Sequence, residues 1–130
     1  MRKIILNILG FFVTLLRGSP ITKVTFLKQI YYAVYSVCRP TDLVLLQLQG
    51  FQLRVDPKDE GLASFLLTTG VYEPFETELL TSLLEKGDCA LDIGANIGYH
   101  TVILGSIVGP EGKVISCEPC PENYKPDMDM

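Results

Sequence analysis

Cys89-Ala90-Leu91-Asp92-Ile93-Gly94-Ala95-Asn96-Ile97-Gly98-Tyr99-His100 is the stretch on which the fold turns. Its pattern is a strand, a tight glycine turn and the opening of a helix. Leu91 and Ile93 suit a central strand covered on both faces. Gly94 lets the chain turn at the strand end without a Cβ clash, and Asn96 is among the few other residues that tolerate a left-handed conformation. Gly98 allows the new helix to approach the sheet or a ligand closely. Tyr99 to Val108 is largely apolar and compatible with a helix. Gly109-Pro110-Glu111-Gly112 breaks it, and Lys113 to Cys117 reads as a second strand with Glu118 at its end. Together these form one βαβ unit of a parallel sheet.

A unit of this kind presents a ligand to the carboxyl ends of its strands, beside the unpaired N–H groups of a helix N-terminus. An acidic residue closing the second strand can accept hydrogen bonds from ribose hydroxyls. Glu118 lies 24 residues after Gly94, close to the spacing of about 20 expected for that role. The expected ligand therefore contains a nucleoside. The dinucleotide pattern Gly-x-Gly-x-x-Gly is absent, because Gly94 and Gly98 are four apart. Asp92 adds a carboxylate that would repel a pyrophosphate and favour a cationic aminoacyl group carrying a sulfonium.

These residues carry a resemblance. Leu91 to Thr101, then Val108-Gly109-Pro110-Glu111-Gly112-Lys113-Val114, then Cys117-Glu118-Pro119-x-Pro121-Glu122-Asn123 resembles an FkbM-type S-adenosylmethionine-dependent methyltransferase. Upstream, Gly70-Val71-Tyr72-Glu73-Pro74 and Glu78-Leu79-Leu80 fit the same family. The resemblance spans roughly residues 43 to 124, with its blocks in order. It implies an α/β, Rossmann-like class I methyltransferase fold, S-adenosyl-L-methionine as cofactor, and methyl transfer to a hydroxyl of a glycan or small molecule. Asp92, Gly94, Ala95, Asn96, Gly98 and Glu118 are the expected cofactor-binding residues. His100, in the first turn of a helix, is expected to be structural or to lie beside the cofactor. No catalytic base is assigned. The alternatives are a nicotinamide-dependent oxidoreductase, which the glycine spacing disfavours, and a non-catalytic fragment that docks on a membrane or a homologue.

The chain has 130 residues, is 48% hydrophobic and carries a net charge of −4. That suits one domain at most. Residues 1 to 40 contain Arg2, Lys3, Arg17, Lys23, Lys28 and Arg39 and no acid, a net of +6, while the remainder carries −10. The acidic part disfavours nucleic acid as a partner. Of the four cysteines, Cys89 and Cys117 fall on the predicted strands and are expected to be reduced core thiols. Cys117-Glu118-Pro119-Cys120 has metal-ligand spacing, but one pair alone is a weak zinc signal, and no metal is expected.

Ile4, Ile5, Ile8, Phe11, Phe12, Leu15 and Leu16 recur at helical spacing, with Lys3, Asn7, Gly10, Thr14 and Arg17 opposite. The spacing predicts an amphipathic helix whose apolar run is shorter than the ~20 residues needed to span a bilayer. Gly18-Ser19-Pro20 ends it. A second helix is expected from Thr22 to Val37, with Phe26, Leu27, Ile30, Tyr31 and Val34 on one face. These helices either pack on the domain or lie on a membrane surface. A signal peptide is disfavoured, since no small-residue cleavage site follows. Leu43–Leu48 and Phe51–Val55 predict a hairpin turning at Gln49-Gly50. Gly61–Leu67 and Pro74–Leu84 predict short helices.

The expected organisation is a basic amphipathic segment over 1–40, the N-terminal part of a methyltransferase domain over 41–124, and a frayed tail over 125–130. A complete doubly wound methyltransferase sheet has about seven strands. This sequence supplies two of them, so the expected fold is truncated after the second core strand, with N-terminal helices and a β-hairpin in addition. On that reading the 130-residue chain is inactive alone. The expected location is cytoplasmic, with membrane-surface contact through residues 1–40 as the functional alternative to packing. The oligomeric state is open.

Overall fold

A computed structural model describes residues 2–17, 25–48 and 50–124 of the chain. The expected helix stop at Gly18-Ser19-Pro20, the start at Thr22, Gln49 of the hairpin turn and the tail 125–130 lie outside the described residues. The elements are α1 (Arg2–Leu16), α2 (Thr25–Cys38), β1 (Val44–Leu48), β2 (Phe51–Val55), α3 (Leu62–Thr69), α4 (Pro74–Leu83), β3 (Cys89–Ile93), α5 (Tyr99–Val108), β4 (Lys113–Cys117) and α6 (Pro121–Tyr124). The architecture is mixed α/β, with two two-stranded sheets, β1-β2 and β3-β4, among the described residues. Two compact units divide the chain. One joins Met1–Val44 to Val55–Tyr72, and the other joins Leu45–Arg54 to Glu73–Met130.

In the first unit α1 and α2 pack through Leu6, Tyr35 and Cys38, with Ile5, Leu9, Val34 and Leu67 around them. Burying each such apolar side chain contributes about 1.5–3 kcal/mol. This corrects the expected faces of both helices. Ile4, Ile8, Phe11, Phe12 and Leu15 of α1 stay exposed, while Leu6 and Gly10 are buried. The reason is steric. A Cβ at Gly10 would collide with the backbone carbonyl of Thr68 in α3, so α1 turns its only Cβ-free position toward α3. On α2 the inward face is Tyr35 and Cys38, and Phe26 and Ile30 point outward.

Tyr35 is fully buried, and its hydroxyl donates to the Pro57 carbonyl at 3.0 Å. A phenol can enter a core only when its O–H finds such a partner. Burial, and then the neighbouring Tyr31, push its pKa up to about 12. The Tyr31 ring stacks on Tyr35 and on Phe65, and Phe65 in turn meets Tyr72 at a centroid distance of 6.4 Å. α3 is buried at Leu62, Ala63, Ser64, Leu66 and Thr68. Its hydroxyls donate to backbone carbonyls one turn earlier in the chain, Ser64 to Glu60 just before the helix and Thr68 to Ser64 within it.

The second unit holds the βαβ segment. β3 and β4 pair in parallel, with Leu91 opposite Ile115 and Ile93 opposite Cys117. Parallel neighbours need a crossover, and α5 supplies it. Its buried residues are Tyr99, Ile103, Leu104 and Val108. The crossover returns tightly, since the Gly87 N–H donates to the Val108 carbonyl at 2.8 Å and the Lys113 N–H to the Asp88 carbonyl at 2.9 Å. The expectation that β3 is covered on both faces is not met among the described residues. Leu91 is 58% and Ile93 77% exposed, because α5 packs on the alternate face that carries Ala90 and Asp92. Cys89 and Cys117 share the uncovered face. They are free thiols but exposed, not core residues.

Candidate functional site

The C-terminal ends of β3 and β4 meet at the glycine turn. The Cys117 carbonyl, at the end of β4, accepts from both the Gly94 N–H (2.7 Å) and the Ala95 N–H (3.1 Å). The turn thus begins by stitching itself to the neighbouring strand. Gly94 and Gly98 have φ of +82° and +86°, and Asn96 follows with +51°. Only glycine and, among other residues, mainly asparagine and aspartate enter this region cheaply, which explains the residue choice at all three positions. The Gly98 N–H closes on the Ala95 carbonyl at 2.8 Å, and α5 starts at the next residue.

Glu118 binds this turn directly. Its Oε2 accepts from the Asn96 N–H at 2.7 Å. Its Oε1 accepts from the Cys120 N–H at 2.8 Å and from the Asn123 side-chain amide at 3.4 Å. The N–H donors of Cys120 and then Asn96 hold its carboxyl below the usual carboxylate value, so it is ionised at neutral pH. Each carboxylate oxygen has two acceptor positions, and capacity for an outside donor remains. Asp92 faces the other way. Its Oδ2 accepts from the Thr101 hydroxyl at 2.5 Å, which ties β3 to the first turn of α5.

An open groove at this end is lined by Ile93, Gly94, Ser116, Cys117, Glu118 and Pro119. Of the six expected residues, Gly94 and Glu118 line it. Ala95, Asn96 and Gly98 build the adjoining turn, and Asp92 sits beneath on the α5 side. His100 stacks edge-on against the buried Tyr99 at 5.1 Å within α5. Two participants were missed by reasoning from the sequence, namely Thr101 and the Cys120–Asn123 corner of α6. The signal for Thr101 was its place in the first helical turn, nine residues after Asp92. For Asn123 it was the Pro-Glu-Asn run following Glu118.

Residues 71–126 match the family model of protein-L-isoaspartate(D-aspartate) O-methyltransferase. The protein-L-isoaspartate O-methyltransferase of Ignicoccus hospitalis is 44% identical over 39 residues, covering 30% of this chain and 18% of that protein. Protein-L-isoaspartate O-methyltransferase 2 of Archaeoglobus fulgidus is 49% identical over 39 residues, with the same coverage of 30% and 18%. The wheat enzyme of the same name, from Triticum aestivum, is 44% identical over 45 residues, 35% of this chain and 20% of its own length. The matched stretch is thus about a fifth of the length of these relatives. No solved structure gives a significant match. The matches support an S-adenosyl-L-methionine-dependent methyltransferase family and do not support the FkbM type. Methyltransferases of the matched family use S-adenosyl-L-methionine.

Proposed function

We propose that the βαβ segment is the cofactor-holding part of an S-adenosyl-L-methionine-dependent O-methyltransferase. The observation that carries this reading is the joint capture of the glycine turn by the Cys117 carbonyl and the Glu118 carboxylate. It leaves an ionised acceptor at the groove, beside backbone that carries no Cβ at Gly94. These residues fit the cofactor. Glu118 would accept from the ribose hydroxyls, and the Gly94–Gly98 turn would lie against the aminoacyl end. The Glu118 carboxylate at the groove favours a ligand with net positive charge.

When bound, the cofactor supplies an electrophilic methyl on a sulfonium with a good neutral leaving group. This chain's residues hold and orient it. Binding of that kind contributes to rate by positioning, which can supply about 7–11 kcal/mol of a barrier when both reactants are aligned. The acceptor has two readings. The resemblance carried by the blocks Gly70–Pro74 and Cys117–Asn123 implies a hydroxyl of a glycan or small molecule, an acceptor class that the matches do not support. The matched relatives, named for protein isoaspartate, favour a side-chain carboxylate of a protein.

Calorimetry on the chain tests the cofactor reading. Saturable binding of S-adenosylmethionine or its demethylated product is expected, with none for a nicotinamide dinucleotide. The reverse pattern, or no binding to either, overturns it. The chain is expected to transfer no methyl group by itself; any transfer from labelled cofactor, to an isoaspartyl peptide or to hydroxylated glycans and small molecules, would overturn that expectation and separate the two acceptors.

A further inference from the structure

An ionised carboxylate has about four acceptor positions, two on each oxygen. The chain itself fills three of those on Glu118. Oε1 accepts from the Cys120 N–H at 2.8 Å and from the Asn123 side-chain amide at 3.4 Å. Oε2 accepts from the Asn96 N–H at 2.7 Å. Oε1 is thus full, and the remaining position lies on Oε2, the oxygen tied to the glycine turn.

The three donors differ in kind. Asn96 and Cys120 donate through the backbone, so any residue but proline at those positions would supply the same bond. Cys120 stands between Pro119 and Pro121, whose rings fix φ on either side of it. Its carbonyl accepts from the Asn123 N–H at 3.1 Å, which turns the short helix α6 back toward Glu118. Asn123 alone donates through its side chain. That side chain is exposed, so packing does not demand an amide there. A carboxylate only accepts, and the amide nitrogen of Asn123 is the atom that can serve it.

We propose that Asn123 is a positioning residue that fills Glu118 Oε1 and leaves one place, on Oε2, for a single ribose hydroxyl of the cofactor. The inference rests on the cofactor reading above and narrows it. A ribose presents two neighbouring hydroxyls, and only one of them donates to Glu118. A hydroxyl arriving at Oε2 adds a bond without breaking one inside the chain. A hydroxyl arriving at Oε1 would have to displace the Asn123 amide, exchanging one bond to the carboxylate for another.

The test is calorimetry on the full chain with the demethylated product of S-adenosylmethionine and with the 2′-deoxy and 3′-deoxy forms of that product. One deoxy form is expected to bind about tenfold or more weakly than the product, and the other within about twofold of it. Asn123→Ala opens the second place, so in that variant the second deoxy form should also bind about threefold or more weakly than the product. The Cys120 and Asn96 N–H groups and, after them, the Asn123 amide hold the Glu118 carboxyl below its ordinary value. Its carbon-13 resonance should therefore titrate at higher pH in Asn123→Ala, a change that a merely structural side chain would not cause. Equal affinities for the two deoxy forms in the parent chain overturn the inference and leave the cofactor reading standing. An unchanged Glu118 titration in Asn123→Ala does the same. The comparison in the parent chain uses no variant, so it decides the matter even if Asn123→Ala fails to fold. No binding of the demethylated product or of S-adenosylmethionine overturns the cofactor reading itself, and this inference with it.

Discussion

The Asn96 N–H donates to Glu118 Oε2 at 2.7 Å, across 22 residues of sequence. The contact joins the middle of the glycine turn to the residue that closes β4. Asn96 is in the left-handed region at φ +51°, which aims its N–H at the neighbouring strand end. The carboxylate that the ribose would use is therefore also a structural clamp, and its removal should show both effects.

Glu118→Ala should weaken S-adenosylmethionine binding by about tenfold or more, since hydrogen bonds to a charged group exceed neutral ones. Amide exchange at Asn96 and Cys120 should accelerate in the same variant. Calorimetry and hydrogen exchange read the two effects separately. Unchanged affinity with faster exchange would leave Glu118 as a clamp alone.

The same carboxylate predicts an acid limb. Its pKa is lowered in the folded chain, so its contribution is present above the ordinary value of 4.5 and is lost as the pH falls through the folded value. The Asn96 and Cys120 amide resonances should titrate together below the ordinary carboxylate range. Glu118→Gln should remove that titration, and its persistence in the variant would assign it to another acid.

Much of this site was legible in the sequence, because its demands are local. A strand end that needs positive φ three times in five residues admits few residues other than Gly and Asn, and Gly94, Asn96 and Gly98 are those residues. The spacing to Glu118 followed from the length of one helical crossover. The pairing of Glu118 with Asn96 was not legible, because it depends on Ile93 lying opposite Cys117 in the sheet register. The exposure of Leu91 and Ile93 was not legible either. Both are apolar, and periodicity cannot say which faces of a strand find a cover. The faces of α1 failed for a related reason, since Leu6, Leu9 and Val13 widen its apolar sector and leave only a narrow polar stripe, and the backbone approach at Gly10 chose the inner face.

Gly10→Ala is accordingly expected to destabilise the first unit by about 1–3 kcal/mol, because the new methyl meets the Thr68 backbone rather than a side chain that can move. Thermal unfolding measures this. By helix propensity alone the change would stabilise the helix by up to about 1 kcal/mol, so the sign of the shift decides between close packing and propensity.

Tyr35→Phe should cost about 0.5–1.5 kcal/mol through the lost hydrogen bond to the Pro57 carbonyl. It should also change the alkaline behaviour. The folded pKa is raised to about 12 from 10.0, so this group's stabilisation is full below pH 10 and is lost as the pH rises toward 12. Denaturant midpoints measured across that window should fall less steeply in the variant than in the parent chain.

Two roles of Asp92 can be separated by substitution. Its Oδ2 accepts from the Thr101 hydroxyl at 2.5 Å, which fixes β3 against the start of α5. Thr101→Val removes the donor while keeping the shape, and should lower stability by about 1–3 kcal/mol, with Thr101→Ser restoring most of it. Asp92→Asn keeps an acceptor for Thr101 but removes the charge. If the carboxylate also favours a cationic ligand, Asp92→Asn should weaken S-adenosylmethionine binding by about tenfold while changing the melting temperature little. The demethylated product lacks the sulfonium charge, so its affinity should fall less. Equal affinities for both ligands in Asp92→Asn and in the parent chain would restrict Asp92 to the strand-to-helix tie.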